Sequence, residues 1–344
     1  MAVEFAKSLP PAKVQVAKGG GKEGSTPRVE WRNASAVWTA ATSFLRMGLD
    51  LPAGDTATLR GHTGPVLAVR FNSDGNYCLT CGQDRIIKLW NPAKGLCVKT
   101  YVGHGHEVFD VAVSGDNSRI TSCGGDKQVF YWDVASGNVI RKFRGHDLKV
   151  NTCVFAGEES SVIVSGSYDK TVKIFDCRSR SFDAMQTMAE ATDSITSLAV
   201  RGHEVLSACV DGYVRRYDVR MGEVVSDCLG HPITCVRFTR DGNCVLATCM
   251  DSTVRLLDKA NGELLNSYSG HRNESYKVES AMTRGDAYVA CGSEDGKIFF
   301  WDLVSGKLAH QLHGHSNVVC GLSYHPSKTA LLSSSVDGTV IFWQ

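Results

Sequence analysis

The sequence predicts an all-β fold: seven four-stranded blades closed into a single ring. Three observations carry that prediction. A turn Asp recurs as Asp84, Asp126, Asp169, Asp211, Asp251, Asp295 and Asp337, at steps running from 40 (Asp211 to Asp251) to 44 (Asp251 to Asp295). Six residues after each comes a bulky apolar side chain: Trp90, Trp132, Phe175, Tyr217, Leu257, Trp301 and Trp343. A Gly-His pair opens most of the units, as at Gly61-His62, Gly103-His104 and Gly314-His315. A spacing of about 40–45 residues is that of a propeller blade, a sheet of four strands. One such sheet cannot bury both faces, so each copy needs a neighbour on either side. The repeat therefore overrules the two domains that a length of 344 residues would otherwise suggest.

Residues 1–55 read as an extension and 56–344 as the ring. The first 30 or so residues are rich in Gly, Lys, Pro and small side chains. Such a stretch cannot bury enough surface to offset its ordering entropy, and it is expected to be disordered. It lacks the apolar core of a secretory signal, and Glu4, Glu23 and Glu30 weigh against a transit peptide. In 33–49, Ala34, Val37, Trp38, Ala41, Phe44 and Leu45 fall on one helical face, with Asn33 placed to cap. That spacing predicts a short amphipathic helix. It is marginal alone, so it either lies on the flank of the ring or frays, the favoured reading, or docks a partner.

The second unit shows the strand pattern: about 107–113, 118–123, 128–132 and 138–143, with Gly- and Asn-bearing hairpin turns between. Its inner strands are apolar on both faces, as stacked blades require. The last unit has strands at 318–324, 329–334 and 339–343, and no fourth. At the front, 56–60 (TATLR) stands where the other units keep their fourth strand. It is expected to complete the seventh blade, joining the two ends of the ring and leaving no long exposed edge there.

Composition narrows the function. With 37 basic and 36 acidic residues the formal net charge is +1. A nucleic-acid binder carries a larger electrostatic footprint, so no direct nucleic-acid partner is expected. No apolar run is long enough to cross a bilayer, so no membrane partner is expected either. The 13 cysteines are odd in number and scattered. Cys78 and Cys81 form a lone CxxC with no second pair at zinc-finger distance, and they read as reduced core thiols. No metal or cofactor is expected.

Within a unit, four side chains can hydrogen-bond in sequence: the Gly-His imidazole, a hydroxyl four residues before the turn Asp, that Asp, and the Trp. Three units hold all four: His62/Thr80/Asp84/Trp90, His104/Ser122/Asp126/Trp132 and His315/Ser333/Asp337/Trp343. The others are incomplete, with Phe175, Ala191, Ala247, Leu257 and Cys291 at the affected places. His, Ser and Asp together resemble a hydrolase triad, but a triad occurs once, whereas this set recurs at the structural turn of each complete unit. The set is read as structural and the protein as no enzyme.

Loops on a rigid framework carry recognition. The positions expected at the channel mouth include Leu67, Glu107, Phe109, Lys149, Tyr168, Met250, Tyr276 and Glu294. Phe109, Tyr168, Met250 and Tyr276 would form an apolar, aromatic surface suited to binding protein. Some of them could instead fold inward and plug the channel. Glu107, Glu279 and Glu294 could form an acidic rim that prefers basic peptides, or be ordinary solvated charges. Paired carboxylates at such a mouth would also suit a glycosidase, a remote alternative.

All seven units resemble the WD-repeat family. That resemblance implies a seven-bladed propeller used as an interaction platform, a monomer within larger complexes. GNYCLTCGQDRIIKLWNP (75–92), DVASGNVIRKFRGH (133–146), RRYDVRMGE (215–223), DSTVRLLDKANGELL (251–265) and EDGKIFFWDLVSG (294–306) are similar to the organiser group of that family. These are scaffolds of mitogen-activated protein kinase cascades that are also found in catalytically active spliceosomes. The resemblance implies kinase-cascade components or spliceosomal proteins as partners, in cytoplasm and nucleus. A second resemblance competes. Asp176-Cys177-Arg178 and Asp218-Val219-Arg220 look like the D-x-R motif by which propellers dock on the cullin-four adaptor as substrate receptors. Arg178 and Arg220 would make charge-assisted hydrogen bonds there, or bond their own blades' carbonyls.

Overall fold

The computed structural model describes residues 14–16 and 51–344. Seven antiparallel four-stranded sheets follow one another along the chain. In each blade an innermost strand at the channel leads outward through two more strands to an edge strand at the rim. Blade one, for example, runs Val66–Phe71, Cys78–Gly82, Ile86–Asn91 and Leu96–Val102. The second strands are buried along all of their length, as in Val162–Ser167 and Leu331–Ser335, or all but the first residue, as in Arg119–Gly124. They carry apolar and small side chains on both faces because blades pack against both.

Seven apolar clusters fill the seven junctions between blades. The junction of blades seven and one holds Leu59, Val66, Val69, Trp90, Leu332 and Phe342. Cys78 belongs to that cluster and Cys81 to the next one round. The two thiols of the CxxC therefore face opposite sides of their strand and cannot chelate one ion. Burial pushes both thiols up.

Closure is between the two ends of the chain. The strand Asp55–Arg60 pairs antiparallel with Thr339–Trp343, with Leu59 opposite Val340. The seam is latched beyond the strands: Ala53 N–H and Gly54 N–H donate to Gln344 O, and Gln344 N–H donates back to Gly54 O. Leu51 is buried between blades six and seven.

One segment of the N-terminal extension is described. Val14–Val16 adds as a parallel fifth strand to the edge strand Glu223–Cys228 of blade four, Val14 opposite Val224. Disorder was the expectation for this stretch. An unpaired edge offers a row of free N–H and C=O groups on which a short extended segment can add. The remainder of the extension, including the helix expected over 33–49, lies outside the described residues.

Candidate protein-interaction face

The loops before the innermost strands and the turns after the second strands open on one end of the channel. Six innermost strands carry a register shift near their start, which leaves one residue outside the ladder: Leu67, Phe109, Asn151, Thr196, Thr234 and Cys320. Such bulges re-aim a side chain. In blades three to five the freed side chain bonds a carbonyl of the next blade: Asn151 to Ile195 O at 2.7 Å, Thr196 to Ile233 O at 2.6 Å and Thr234 to Val278 O at 2.9 Å. In blades one and two it is instead an apolar group, Leu67 or Phe109, left half-buried. The bulge also requires Gly82 and Gly124, since a Cβ there would sit 2.2 Å from Pro65 O and 2.1 Å from Glu107 O.

Three of the expected mouth residues come together. The Lys149 ammonium lies 5.6 Å from the Phe109 ring centre and 5.0 Å from that of Tyr168, one cation between two aromatic rings. Tyr168 is 49 % exposed and Tyr276 45 %. Tyr276 sits on the lengthened loop of blade six, which Glu294 shapes by accepting the N–H groups of Glu274 (2.8 Å), Ser275 (2.6 Å) and Tyr276 (2.9 Å) on one oxygen. From the same loop the Lys277 ammonium reaches across the mouth to Asn151 O in blade three, at 3.1 Å. Leu67 and Met250 are half-buried and stand apart, on blades one and five, and Glu107 is half-buried with its carboxyl packed over Gly125.

The acidic rim is not what forms. Glu279 is buried inside the channel, where its oxygens take the Arg70 guanidinium at 2.6 and 2.7 Å, with Arg237 3.6 Å away. Arg70 also bonds buried Asp110 at 2.8 Å, and Asp110 accepts from Thr152 at 2.8 Å. Side chains from blades one, two, three, five and six thus share one charged network. Burial opposes ionisation of Glu279, but Arg70 and then Arg237 hold its carboxyl at about 2. Burial also works against Glu294, and its three backbone donors nonetheless keep it below the usual carboxylate range. Glu294 is therefore a loop anchor and Glu279 a channel brace. Sequence reading missed Arg70, Asp110 and Arg237. Charged residues on otherwise apolar innermost strands were the available signal.

Beneath the mouth lie the polar sets. In blade one His62 Nδ1 is 2.8 Å from Asp84 and Nε2 is 2.7 Å from the Thr80 hydroxyl, which accepts Trp90 Nε1–H at 2.8 Å. Blade two repeats this with His104, Asp126, Ser122 and Trp132 at 2.7, 2.7 and 2.8 Å. Blade seven has His315, Asp337, Ser333 and Trp343 at 3.2, 2.7 and 2.8 Å. Ser122 and Ser333 are wholly buried and out of reach of any substrate. Blades four and five solve the same turn differently. Arg215 bonds Asp211 through both terminal nitrogens, the shorter bond 2.7 Å, and Arg255 pairs with Asp251. Each Arg stands four residues past its turn Asp, in the RRYD and RLLD runs, and arrives where the imidazole is missing or displaced. Blade six has neither solution: His271 is buried with no partner on either ring nitrogen.

On the opposite face, Asp176 and Asp218 each accept the N–H of the Arg two residues on, at 2.8 and 2.9 Å. These are Asx turns, and the arginines themselves point out: the Arg178 side chain is 53 % exposed, with Asp176 3.5 Å away, and Arg220 is exposed. No trio of His, Cys, Asp or Glu placed to hold a metal occurs among the described residues.

Seven four-stranded blades, three of them holding a complete Trp-hydroxyl-His-Asp set, define a WD-repeat propeller, a class of interaction scaffold. The WD domain, G-beta repeat family model matches residues 55–91 and 306–344, and the Nucleolar protein 10-like, N-terminal domain model matches 77–283. The chain is 54 % identical over 295 residues to WD repeat domain-containing protein 83 of Rattus norvegicus and of Homo sapiens, covering 86 % of this chain and 93 % of each relative. It is 37 % identical to the WD repeat domain-containing protein 83 homolog of Dictyostelium discoideum, covering 83 % and 96 %. The chain belongs to the WD-repeat family represented by WD repeat domain-containing protein 83.

Proposed function

We propose that this chain is a non-catalytic scaffold that gathers protein partners on its channel-mouth face, in kinase-cascade or spliceosomal assemblies of the cytoplasm and nucleus. The carrying observation is the Phe109–Lys149–Tyr168 group, in which exposed Lys149 and Tyr168 stand beside half-buried Phe109 at the mouth of a braced ring. Large aromatic side chains on a rigid frame lose little entropy on contact and dominate the energetics of protein interfaces. The channel network and the Glu294-held loop pre-shape the surface around it, which lowers the ordering cost of binding.

A second reading, a substrate receptor on a cullin adaptor, draws support from the outward Arg178 and Arg220, with Met221 55 % exposed beside Arg220. Native capture with mass spectrometry separates the two. The Phe109→Ala/Tyr168→Ala variant is expected to fold and to lose kinase-cascade or spliceosomal proteins from the eluate. Arg178→Ala/Arg220→Ala is expected to keep them. An unchanged eluate from the first variant sinks the mouth as the binding face, and selective loss of a cullin adaptor from the second establishes the receptor reading.

A further inference from the structure

We propose that the channel-mouth face over blades one to three docks an acidic segment of a partner protein. This rests on the scaffold reading above and names the partner's chemistry.

The residue after each turn Asp takes a left-handed backbone conformation, which glycine alone adopts without steric cost. Blades four, six and seven place glycine there: Gly212 at φ +83°, Gly296 at +82° and Gly338 at +83°. Blades one, two and three instead hold Arg85 at +66°, Lys127 at +63° and Lys170 at +70°. Blade five holds Ser252 at +60°, its hydroxyl accepting Asn273 N–H at 3.0 Å, so three adjacent blades keep a long cation at a turn that the other four fill with glycine or a hydrogen-bonded serine. All three side chains are exposed, and among the described residues none is in an ion pair or a side-chain hydrogen bond. Strain retained without a structural partner points to a role in contact with something else.

Lys149, exposed between Phe109 and Tyr168, adds a fourth cation to the arc. The turn carboxylates Asp84, Asp126 and Asp169 are committed to His62, His104 and His146. Glu107 and Asp147 are the remaining acids of this sector. Across the ring the balance reverses: Glu190, Asp193 and Glu274 line the loops of blades four to six, and Arg272 is tied to Glu274 and Glu294. A formal net charge of +1 hides this polarity. A chain crossing blades one to three meets one basic turn per blade, with the two aromatic rings as an apolar anchor. Base stacking needs a free ring face. Lys149 takes one face of each ring, leaving no open ring pair for successive bases, while a carboxylate can pair with Lys149 beside a single apolar side chain, so an acidic peptide fits the arc better than single-stranded RNA.

The test is fluorescence anisotropy on the whole chain, with a labelled Glu/Ser peptide carrying one central Phe, and a uridine oligonucleotide of equal length. The wild type is expected to bind the peptide with an affinity that falls as salt rises. Arg85→Gly/Lys127→Gly/Lys170→Gly is expected to weaken binding at least about tenfold while keeping or raising the thermal midpoint, since glycine relaxes the turns. Lys149→Glu, outside those turns, is expected to lose binding to a similar degree, so a triple variant that folds poorly leaves the proposal open to refutation. Equal binding by wild type and variants overturns it. So does absence of peptide binding by the wild type, or tighter binding of the oligonucleotide. Partner capture that ignores the triple variant overturns this docking surface and spares the scaffold; no capture by the wild type overturns the scaffold as well.

Discussion

Blades seven, one and two are neighbours around the ring, and they hold the three complete polar sets. Blades four, five and six, halfway along the chain, hold none. The first group spans the seam, where Asp55–Arg60 meets Thr339–Trp343 and only non-covalent contacts close the circle. The second group is tied to its neighbours by the chain on both sides. Buried hydrogen-bond networks fix one arrangement of the strands they join, and here they concentrate where connectivity cannot do so. Away from the seam the turn Asp accepts a substitute, Arg215 or Arg255, or in blade six leaves its histidine alone.

The heaviest blow to that contrast is removal of the closing strand. Deleting residues 51–60 takes away five paired positions, the Gln344 latch and the buried Leu51 and Leu59. It also leaves Thr339–Trp343 as an open apolar edge. Loss of cooperative unfolding is expected by circular dichroism, together with aggregation through that edge. Deleting residues 1–13, outside the described fold, is the control and is expected to leave the midpoint in place. Equal midpoints for the two truncations would mean that the seam is not the weak joint of the ring.

Blade six offers a smaller effect with a defined pH signature. Burial holds the His271 imidazole at about 4, against an ordinary value of 6.5. The unfolded chain takes up that proton near pH 6.5 and the folded one only near pH 4, so acid favours unfolding. Stability is therefore lost as pH falls through this window, by about 3 kcal/mol at most from this residue. His62 and His325 are also shifted down, chiefly by burial, and add to the same slope. Asp227 and Asp286, raised chiefly by burial, take up protons first in the folded state and oppose this slope, while other carboxylates act lower. Asp211 and Glu279 are held at about 2, so their contributions stay until the pH drops below the ordinary carboxylate range. Urea titrations at pH 7 and 4.5 should show His271→Leu losing about 2 kcal/mol less than wild type. Parallel losses would clear His271 of the effect.

Most of the fold was legible because repetition made it so. Seven turn aspartates and an orphan fourth strand at the front define ring and closure without any long-range knowledge. The complete polar sets were legible for the same reason, each being local to one blade. The site was legible only in part. Phe109, Lys149 and Tyr168 could all be placed at the mouth by register, but not the contact of Lys149 with both rings, which depends on the spacing of two blades. Neither reading of Glu279 and Glu294, rim or solvated charge, anticipates their roles, because a carboxylate's partners, here Arg70 from a blade two places round the ring and three loop N–H groups, are not encoded in its own repeat. Arg215 and Arg255 show the remaining limit: a substitution at one position is answered at another, and the pairing appears only when strands are laid side by side.

The finest test of the contrast is to make blade six resemble blade seven. Cys291 stands where Ser333 stands, wholly buried, and the partnerless His271 stands where His315 does. Cys291→Ser offers His271 a hydroxyl. The gain is bounded, because Trp301 Nε1–H already donates to Ser269 O at 3.0 Å and will not join the new group. One added hydrogen bond, set against burying a hydroxyl, should raise stability by about 0.5–1 kcal/mol. The reverse change, Ser333→Ala, strands both His315 and Trp343 and should cost about 1–3 kcal/mol. Both are read from urea midpoints at constant m. A Cys291→Ser variant that loses stability while Ser333→Ala costs nothing would mean that the sets decorate the blades without bracing them, and that the seam is held by its apolar junctions alone.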